Sequence, residues 1–451
     1  MKSRSIDMCN GSLWKNIFLF SVPLMCAQIL EVLFNLSDVA VVGKFADYTA
    51  LGAVGSTTIL VTLHTGFLIG MGSGVTVIVA RNLGLGDAIK TKKSIFSACI
   101  ACCIVGLFVA MISYLSADWL LRILHTKDAL MKQAVLYLKI YSLGFPAMAI
   151  YQFGNGVLSA NGDTKRSLLY LTIAGILNVL LNLFFVIVCG KAADGVAIAS
   201  AIAQYVSAFL VVVHLLKRED ICQLQLDFSR LERSSCFEIL SIGIPAGIQN
   251  AVFAIANLFV QRGVNSFDAI VVSGNSAANN ADTIVYNILA AFHTGCSSFV
   301  SKNYGAGNID RMQKSYFVAL FYSAMTGIIC GSLLWMFGRE FLALFTNEAT
   351  VIDAGMEKLK VMSLSYWLSS FMDCTIAASR GIGKSVVPAI IVILGSCVFR
   401  VFWVYSVFAS FHSIFSLYLL YPCSWILTAA FEIGYFVVCF HKIKKESVFI
   451  S

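Results

Sequence analysis

The residues of this 451-residue chain that could do chemistry are polar ones lodged inside apolar segments. The run from about 12 to 42 carries Gln28, Glu31, Asn35 and Asp38 at spacings of three, four and three, which brings all four to one helical face. An ionisable side chain at the centre of a bilayer costs about 2.5 to 3.5 kcal/mol on insertion scales, so each one needs a reason. Such a stripe cannot face lipid. Either it fixes packing through interhelical hydrogen bonds or it lines a water-filled, ion-responsive cavity. Pro23, roughly four helical turns before Asp38, removes one backbone hydrogen bond and gives this helix a place to bend. Further along, Asn178 and Asn182 stack at a spacing of four, as do Ser200 and Gln204. One carboxylate, two amide oxygens and a hydroxyl form an oxygen-only set of the kind a hard cation accepts. A lone carboxylate in a low-dielectric pocket suits a proton switch equally well, so Na⁺ and H⁺ both stay open. Amides pairing across helices are the other reading of Asn178 and Asn182.

The elements that must position these residues follow from composition. Hydrophobic residues make up 59% of the chain and charged residues 12%, against about 25% charged in a soluble domain, which excludes a water-soluble fold. Apolar segments lie at about 12 to 42, 50 to 79, 94 to 116, 132 to 158, 167 to 189, 194 to 216, 236 to 261, 269 to 300, 315 to 336, 356 to 378, 386 to 409 and 414 to 440. They are continuous and do not alternate, which excludes a β-barrel. The expected fold is therefore an all-α polytopic membrane protein of twelve transmembrane helices. The net charge of +8 is spread between apolar segments and forms no patch for nucleic acid. Of 32 Lys and Arg residues, 21 fall on the side of the termini, and the positive-inside rule places both termini in the cytoplasm. The first apolar segment reads as a retained span and not as a cleaved signal peptide. The 14 cysteines, scattered and without a CxxC pair, read as small core residues.

The chain is also a repeat. Pro23 pairs with Pro245 and, at the same offset, Asn35 with Asn257; ARNLGLGD (Ala80 to Asp87) lies over SKNYGAGN (Ser301 to Asn308) at an offset shorter by one. That shorter offset also sets SANGDT from Ser159 over RGIGKS from Arg380. The expected organisation is an N-terminal six-helix lobe at 1–217, a charged cytoplasmic linker at 218–235 and a C-terminal six-helix lobe at 236–451. Two pseudo-symmetric bundles with even span counts share one membrane orientation, with sites near the midplane at or beside their interface. The second lobe loses the acid, since Asp38 aligns with Val260. It keeps Gln249, Asn250 and Asn257, and its second span carries Asn275, Asn279 and Asp282 on one face, expected to line the cavity or a gate. For His293 a structural hydrogen bond is expected. Asp373 and Arg400 either pair within the second lobe or leave Arg400 to snorkel. The glycine-rich turns read as helix ends, because RGIGKS has Ala378 where a phosphate loop needs its first glycine.

These residues resemble a known family. The run CNGSLWKNIFLFSVPLMCAQILEVLFNLSDVAVVGKF, with VARNLGLGD, ILNVLLNLFFV, GVAIASAIAQ, SKNYGAGN, ASRGIGKSVVP and YPCSWILT, is similar in content and order to bacterial multidrug and toxic compound extrusion (MATE) transporters. The resemblance implies two six-helix bundles around a V-shaped cavity, exporting lipophilic, mostly cationic compounds by antiport with Na⁺ or H⁺. It implies a cation site at Asp38, Asn178, Asn182 and Ser200. Asn182 stands where many relatives have aspartate, Ser200 where threonine is usual, and Ser159 replaces an arginine whose second-half counterpart, Arg380, is kept. Gln28, Glu31, Asn35, Gln204, Gln249, Asn250, Asn257, Asn279 and Asp282 are expected around the substrate cavity, with Pro23 as the bend. The expected setting is the bacterial inner membrane, with a monomer that uses no cofactor beyond its coupling ion. A lipid-linked oligosaccharide flippase of the same broader superfamily and an integral-membrane enzyme are the competing classes. The first calls for more cationic residues in the cavity, the second for clustered His, Cys or acidic residues.

Overall fold

The structure, a computed structural model, describes residues 5–450. Fifteen helices follow one another, with no strand among the described residues. They are α1 (Leu13–Phe45), α2 (Tyr48–Leu85), α3 (Ala88–Ile123), α4 (Asp128–Ser142), α5 (Phe145–Ala160), α6 (Thr164–Val188) and α7 (Ala193–Leu216). After the linker come α8 (Arg233–Val264), α9 (Ala269–Gly305), α10 (Ile309–Ala343), α11 (Ala349–Ser363), α12 (Tyr366–Gly381), α13 (Val386–Phe411), α14 (Ile414–Tyr418) and α15 (Leu420–Ile450). Each of the twelve expected apolar segments falls on one long helix or on a consecutive broken pair. Nine helices among the described residues are long and apolar enough to cross a bilayer, or ten if α4 and α5, bent by 42°, count as one span. Outside that count stand α9, with Asn275, Asn279, Asn280 and Asp282, and the α11–α12 pair, whose first helix carries Asp353, Glu357, Lys358 and Lys360.

Helix ends show the repeat in backbone geometry. Gly86 ends α2 in the left-handed region at φ 73°, and Asp87 caps α3 by accepting from Lys90 N. In the second half Gly307 has φ 70°, and Asn308 caps α10 by accepting from Arg311 N. Gly162 and Gly383 form a further pair, at φ 82° and 83°. A side chain is disfavoured at such φ values, which is why glycine recurs at each turn. The RGIGKS turn links α12 to α13 with no strand before it, as a helix end and not a phosphate loop.

By packing, the chain divides into two units. One holds residues 5–6 and Cys26–Ala251; the other holds Asp7–Met25 and the chain from Val252 onward. The divisions thus fall inside α1, just after Pro23, and inside α8, shortly after Pro245. The first half of α8 belongs with α2 because small residues let the backbones touch: a Cβ on Gly70 would lie 2.3 Å from Gly247 N, and one on Gly74 2.6 Å from Ile239 O. In the second unit the same device joins α9 to α11, where a Cβ on Gly274 would lie 2.6 Å from Gly355 N. Residues ahead of α1 are tied into that unit by Arg311. Its guanidinium donates to the carbonyls of Met8, Gly11 and Asn10 at 3.1, 3.0 and 2.9 Å.

Candidate functional site

The first unit contains a cavity of about 320 Å³ between α1, α2, α4, α5, α6 and α7. Glu31, Asn35 and Asp38 from the face of α1 line it together with Asn178, Ser200 and Gln204. Aromatic walls come from Phe34, Tyr137, Tyr141 and Tyr151. Helical spacing explains the convergence, because α6 presents Asn178 and Asn182 on one buried stripe with Ala174 and Gly175. Gly175 is needed there: a Cβ would lie 1.8 Å from Cε2 of Phe34. Gln28, one turn before Glu31, is half-buried and not among the lining residues.

Asp38 is held on both oxygens. Asn182 Nδ2 donates to Oδ1 at 2.5 Å, and Ser200 Oγ donates to Oδ2 at 3.3 Å. Asn178 Nδ2 donates to Ser200 Oγ at 3.2 Å, while its Oδ1 accepts from Asn182 Nδ2 at 3.3 Å. The four residues drawn from α1, α6 and α7 therefore form one connected network. The Oδ1 of Asn182 is buried and accepts no hydrogen bond. A buried acceptor left unmade is costly, so this oxygen is free for a donor or a cation. Among the described residues no group of three His, Cys, Asp or Glu side chains is placed to hold a metal ion. The oxygens available here are one carboxylate, two amide carbonyls and a hydroxyl.

The other expected residues are distributed differently. Asn250 Nδ2 donates to Gly66 O at 3.0 Å, tying α8 to α2, and Gln249 is buried in the same stretch. In the second unit Asn279 and Asp282 are engaged by Lys358, a residue that sequence reasoning missed. Lys358 is 1% exposed, lies 2.7 Å from Asp282 Oδ2 and donates to Asn279 Oδ1, while the Tyr366 hydroxyl donates to Asp282 Oδ1. His293 bonds Ser323 at 3.2 Å, as expected of a structural histidine.

Asp373 and Arg400 form no direct ion pair, and Arg400 does not snorkel: it is 2% exposed in the middle of α13. It donates from Nη1 to Asn257 Oδ1 at 3.1 Å and from Nε to Ser424 Oγ at 3.3 Å. Its guanidinium carbon lies 4.8 Å from the ring centres of both Phe253 and Tyr421. Asp373 instead accepts from the Tyr286 hydroxyl at 3.4 Å. Glu432, fully buried on α15, was also missed, and neither of its oxygens makes a hydrogen bond. The signal for Lys358 and Glu432 was their charge near or inside an apolar segment.

This architecture has known counterparts. An outward-facing multidrug resistance MATE family transporter of the MOP superfamily superposes with a TM-score of 0.91 at 21% identity, covering 99% of this chain and 100% of that one. The probable multidrug resistance protein YpnP of Bacillus subtilis is 27% identical over 365 residues, covering 80% of this chain and 81% of that protein. The probable multidrug resistance protein NorM of Thermotoga maritima is 23% identical over 406 residues, or 86% and 84% of the two chains. The MatE family profile matches twice, at residues 23–184 and 245–406, so that both ends of the match are shifted by the same spacing that separates Pro23 from Pro245. With the two matches covering most of its length, the chain belongs to the MatE family, that of the multidrug and toxic compound extrusion membrane transporters.

Proposed function

We propose that the protein exports lipophilic, mostly cationic compounds by antiport with Na⁺ or H⁺, and that the coupling cation is taken by Asp38, Asn178, Asn182 and Ser200. The observation that carries this reading is Asp38, the one carboxylate of the hydrogen-bonded network, held by Asn182 and Ser200 in a cavity that Glu31 and aromatic side chains also line. As it stands, Asn182 turns its amide nitrogen to Asp38. Half a turn of that amide brings the unpartnered Oδ1 to the same place and changes a hydrogen-bonded set into an all-oxygen one. Na⁺ is served by that rotated set; H⁺ is served by the carboxylate alone. Either ion cancels the charge of Asp38, which removes its attraction for a cationic substrate against the rings of Tyr137, Tyr141 or Tyr151. Exchange is then a competition between two cations for one negative charge, completed by alternating access and a bend of α1 at Pro23.

The driving force needs no bond chemistry. One coupling cation moving inward for one cationic substrate moving outward leaves the net charge across the membrane unchanged, so the ion's concentration gradient does the work: a tenfold gradient supplies about 1.4 kcal/mol, enough for about tenfold accumulation. The setting of this reading is a monomer in the bacterial inner membrane with both termini in the cytoplasm. The test is ethidium transport by purified protein in proteoliposomes, with Na⁺ and pH gradients imposed separately. One of the two gradients should drive transport in the natural chain, and Asp38→Asn should abolish that response while the protein remains folded. Gradient-driven transport that survives Asp38→Asn refutes the site.

A further inference from the structure

The network around Asp38 has a counterpart in the second unit, which the register of the repeat locates. Turn glycines pair at a single offset, Gly86 with Gly307 and Gly162 with Gly383. Within α13 a wide turn at Ile393–Val398 has π-helical geometry, and such a turn accommodates one extra residue. Beyond it the buried positions pair at an offset longer by one, the offset of Pro23 and Pro245. Asn178, Asn182 and Val186 of α6 are buried, and so are Arg400, Val404 and Phe408 of α13. In α1 and α8, which share the longer offset, Asn35 pairs with Asn257 and Asp38 with Val260. The second unit has thus exchanged the acid and one amide for valines and the other amide for a guanidinium at corresponding places.

Arg400 is enclosed there. Phe253 and Tyr421 lie against it at 4.8 Å each, and Asn257 and Ser424 accept two of its hydrogen bonds. Among the described residues no carboxylate lies within ion-pair distance of it. A guanidinium keeps its charge at any physiological pH and, in a low-dielectric interior, repels a second cation over many ångströms. Three other acids of this unit make no ion pair with Arg400. Asp373 and Glu432 both lie in the field of Arg380, and Asp373 also in that of Arg400. Asp282 is paired with Lys358.

We propose that Arg400 is a permanent internal cation standing at the second unit's counterpart of the Asp38 site, so that the first unit alone takes a coupling ion and one ion moves per substrate. This rests on the reading of Asp38 as the coupling site. In the first unit the positive charge comes and goes; in the second it is built into the chain, with valine and no acid at the place of Asp38.

Stoichiometry tests it. With the membrane potential clamped at zero by K⁺ and valinomycin, the steady-state ethidium ratio across full-length protein in proteoliposomes is measured against imposed Na⁺ and proton ratios. A tenfold gradient of the coupling ion should yield a tenfold ethidium ratio in the natural chain and in Arg400→Lys, and none in Asp38→Asn. A hundredfold ratio in the natural chain that falls to tenfold in Asp38→Asn means that the second unit takes an ion of its own; it overturns this proposal and leaves the Asp38 site standing. A tenfold ratio that persists in Asp38→Asn overturns the Asp38 reading instead. The triple substitution Val260→Asp, Arg400→Asn and Val404→Asn restores the first unit's acid and both of its amides. A rise to a hundredfold ratio in that variant supports the proposal, and an unchanged tenfold ratio in the folded variant refutes the exclusion of an ion by Arg400.

Discussion

Gly175→Ala isolates the geometry of the cavity from its chemistry. The added methyl would sit 1.8 Å from Cε2 of Phe34 and 2.2 Å from both Cδ2 and Cζ, whereas carbon atoms settle at about 3.5 Å. The ring must therefore retreat by roughly 1.7 Å, and a packed core that cannot yield loses about 1 to 3 kcal/mol to such crowding. Here the ring has somewhere to go, because Phe34 already lines the 320 Å³ cavity. It lies one helical turn from Asp38 and on the same face. The expected outcome is a stability loss of about 1 kcal/mol, at the low end of that range, with at least a tenfold fall in ethidium transport as the displaced ring fills space beside the carboxylate. Adding Phe34→Ala removes the obstruction and should return transport to within about threefold of the Phe34→Ala chain, a coupling of at least about 0.7 kcal/mol in a double-mutant cycle. The measurements are initial rates in proteoliposomes and thermal unfolding in detergent. Normal transport by Gly175→Ala, or no rescue by Phe34→Ala, would refute the placement of this cavity on the substrate's path.

Three further outcomes follow from contacts elsewhere. Lys358→Ala strands Asp282 and should cost about 3 to 5 kcal/mol, while Lys358→Met with Asp282→Asn should recover most of it; thermal unfolding of the three chains checks both. Arg311→Ala removes three charge-assisted hydrogen bonds to the segment before α1 and, discounted for exposure, should cost about 2 to 3 kcal/mol, with faster hydrogen exchange at residues 8–11. Asp7 lies in that same segment, and the Asn10 side chain, followed by the amides of Cys9 and Asn10, holds its carboxyl below the usual range. A lowered folded value stabilises above the unfolded pKa of about 3.9 and is lost as pH falls through the folded one. Exchange at residues 8–11 should therefore quicken below about pH 4 in the natural chain and lose that dependence in Asp7→Asn.

Much of this was legible in the residues. Continuous apolar segments located every long helix, and the face shared by Glu31, Asn35 and Asp38 showed which side of α1 meets the cavity, because a helical period leaves little choice. The glycines of ARNLGLGD and SKNYGAGN marked helix ends because a left-handed φ almost requires them. Partners across helices were less legible. Nothing in the spacing of Asn279 and Asp282 says that Lys358, some 79 residues from Asn279, buries its ammonium between them. Arg400 looked like a partner for Asp373, yet found two aromatic rings and an amide, since cation–π contact leaves no periodic trace. The limits of the packing units were hidden for the same reason: α1 and α8 are continuous in sequence pattern, and only their neighbours reveal that each changes company midway.

That change of company orders the assembly of the chain in time. Met8 is synthesised well ahead of its partner, since its carbonyl is claimed by Asn303, 295 residues later. At about 5 to 20 residues per second the opening segment waits roughly 15 to 60 s for its anchor to be synthesised. The first unit, for its part, stays incomplete until the opening turns of α8 arrive. A chain severed in the linker would deliver two fragments that each lack a piece of their own core, so neither should reach its native fold until the other is present.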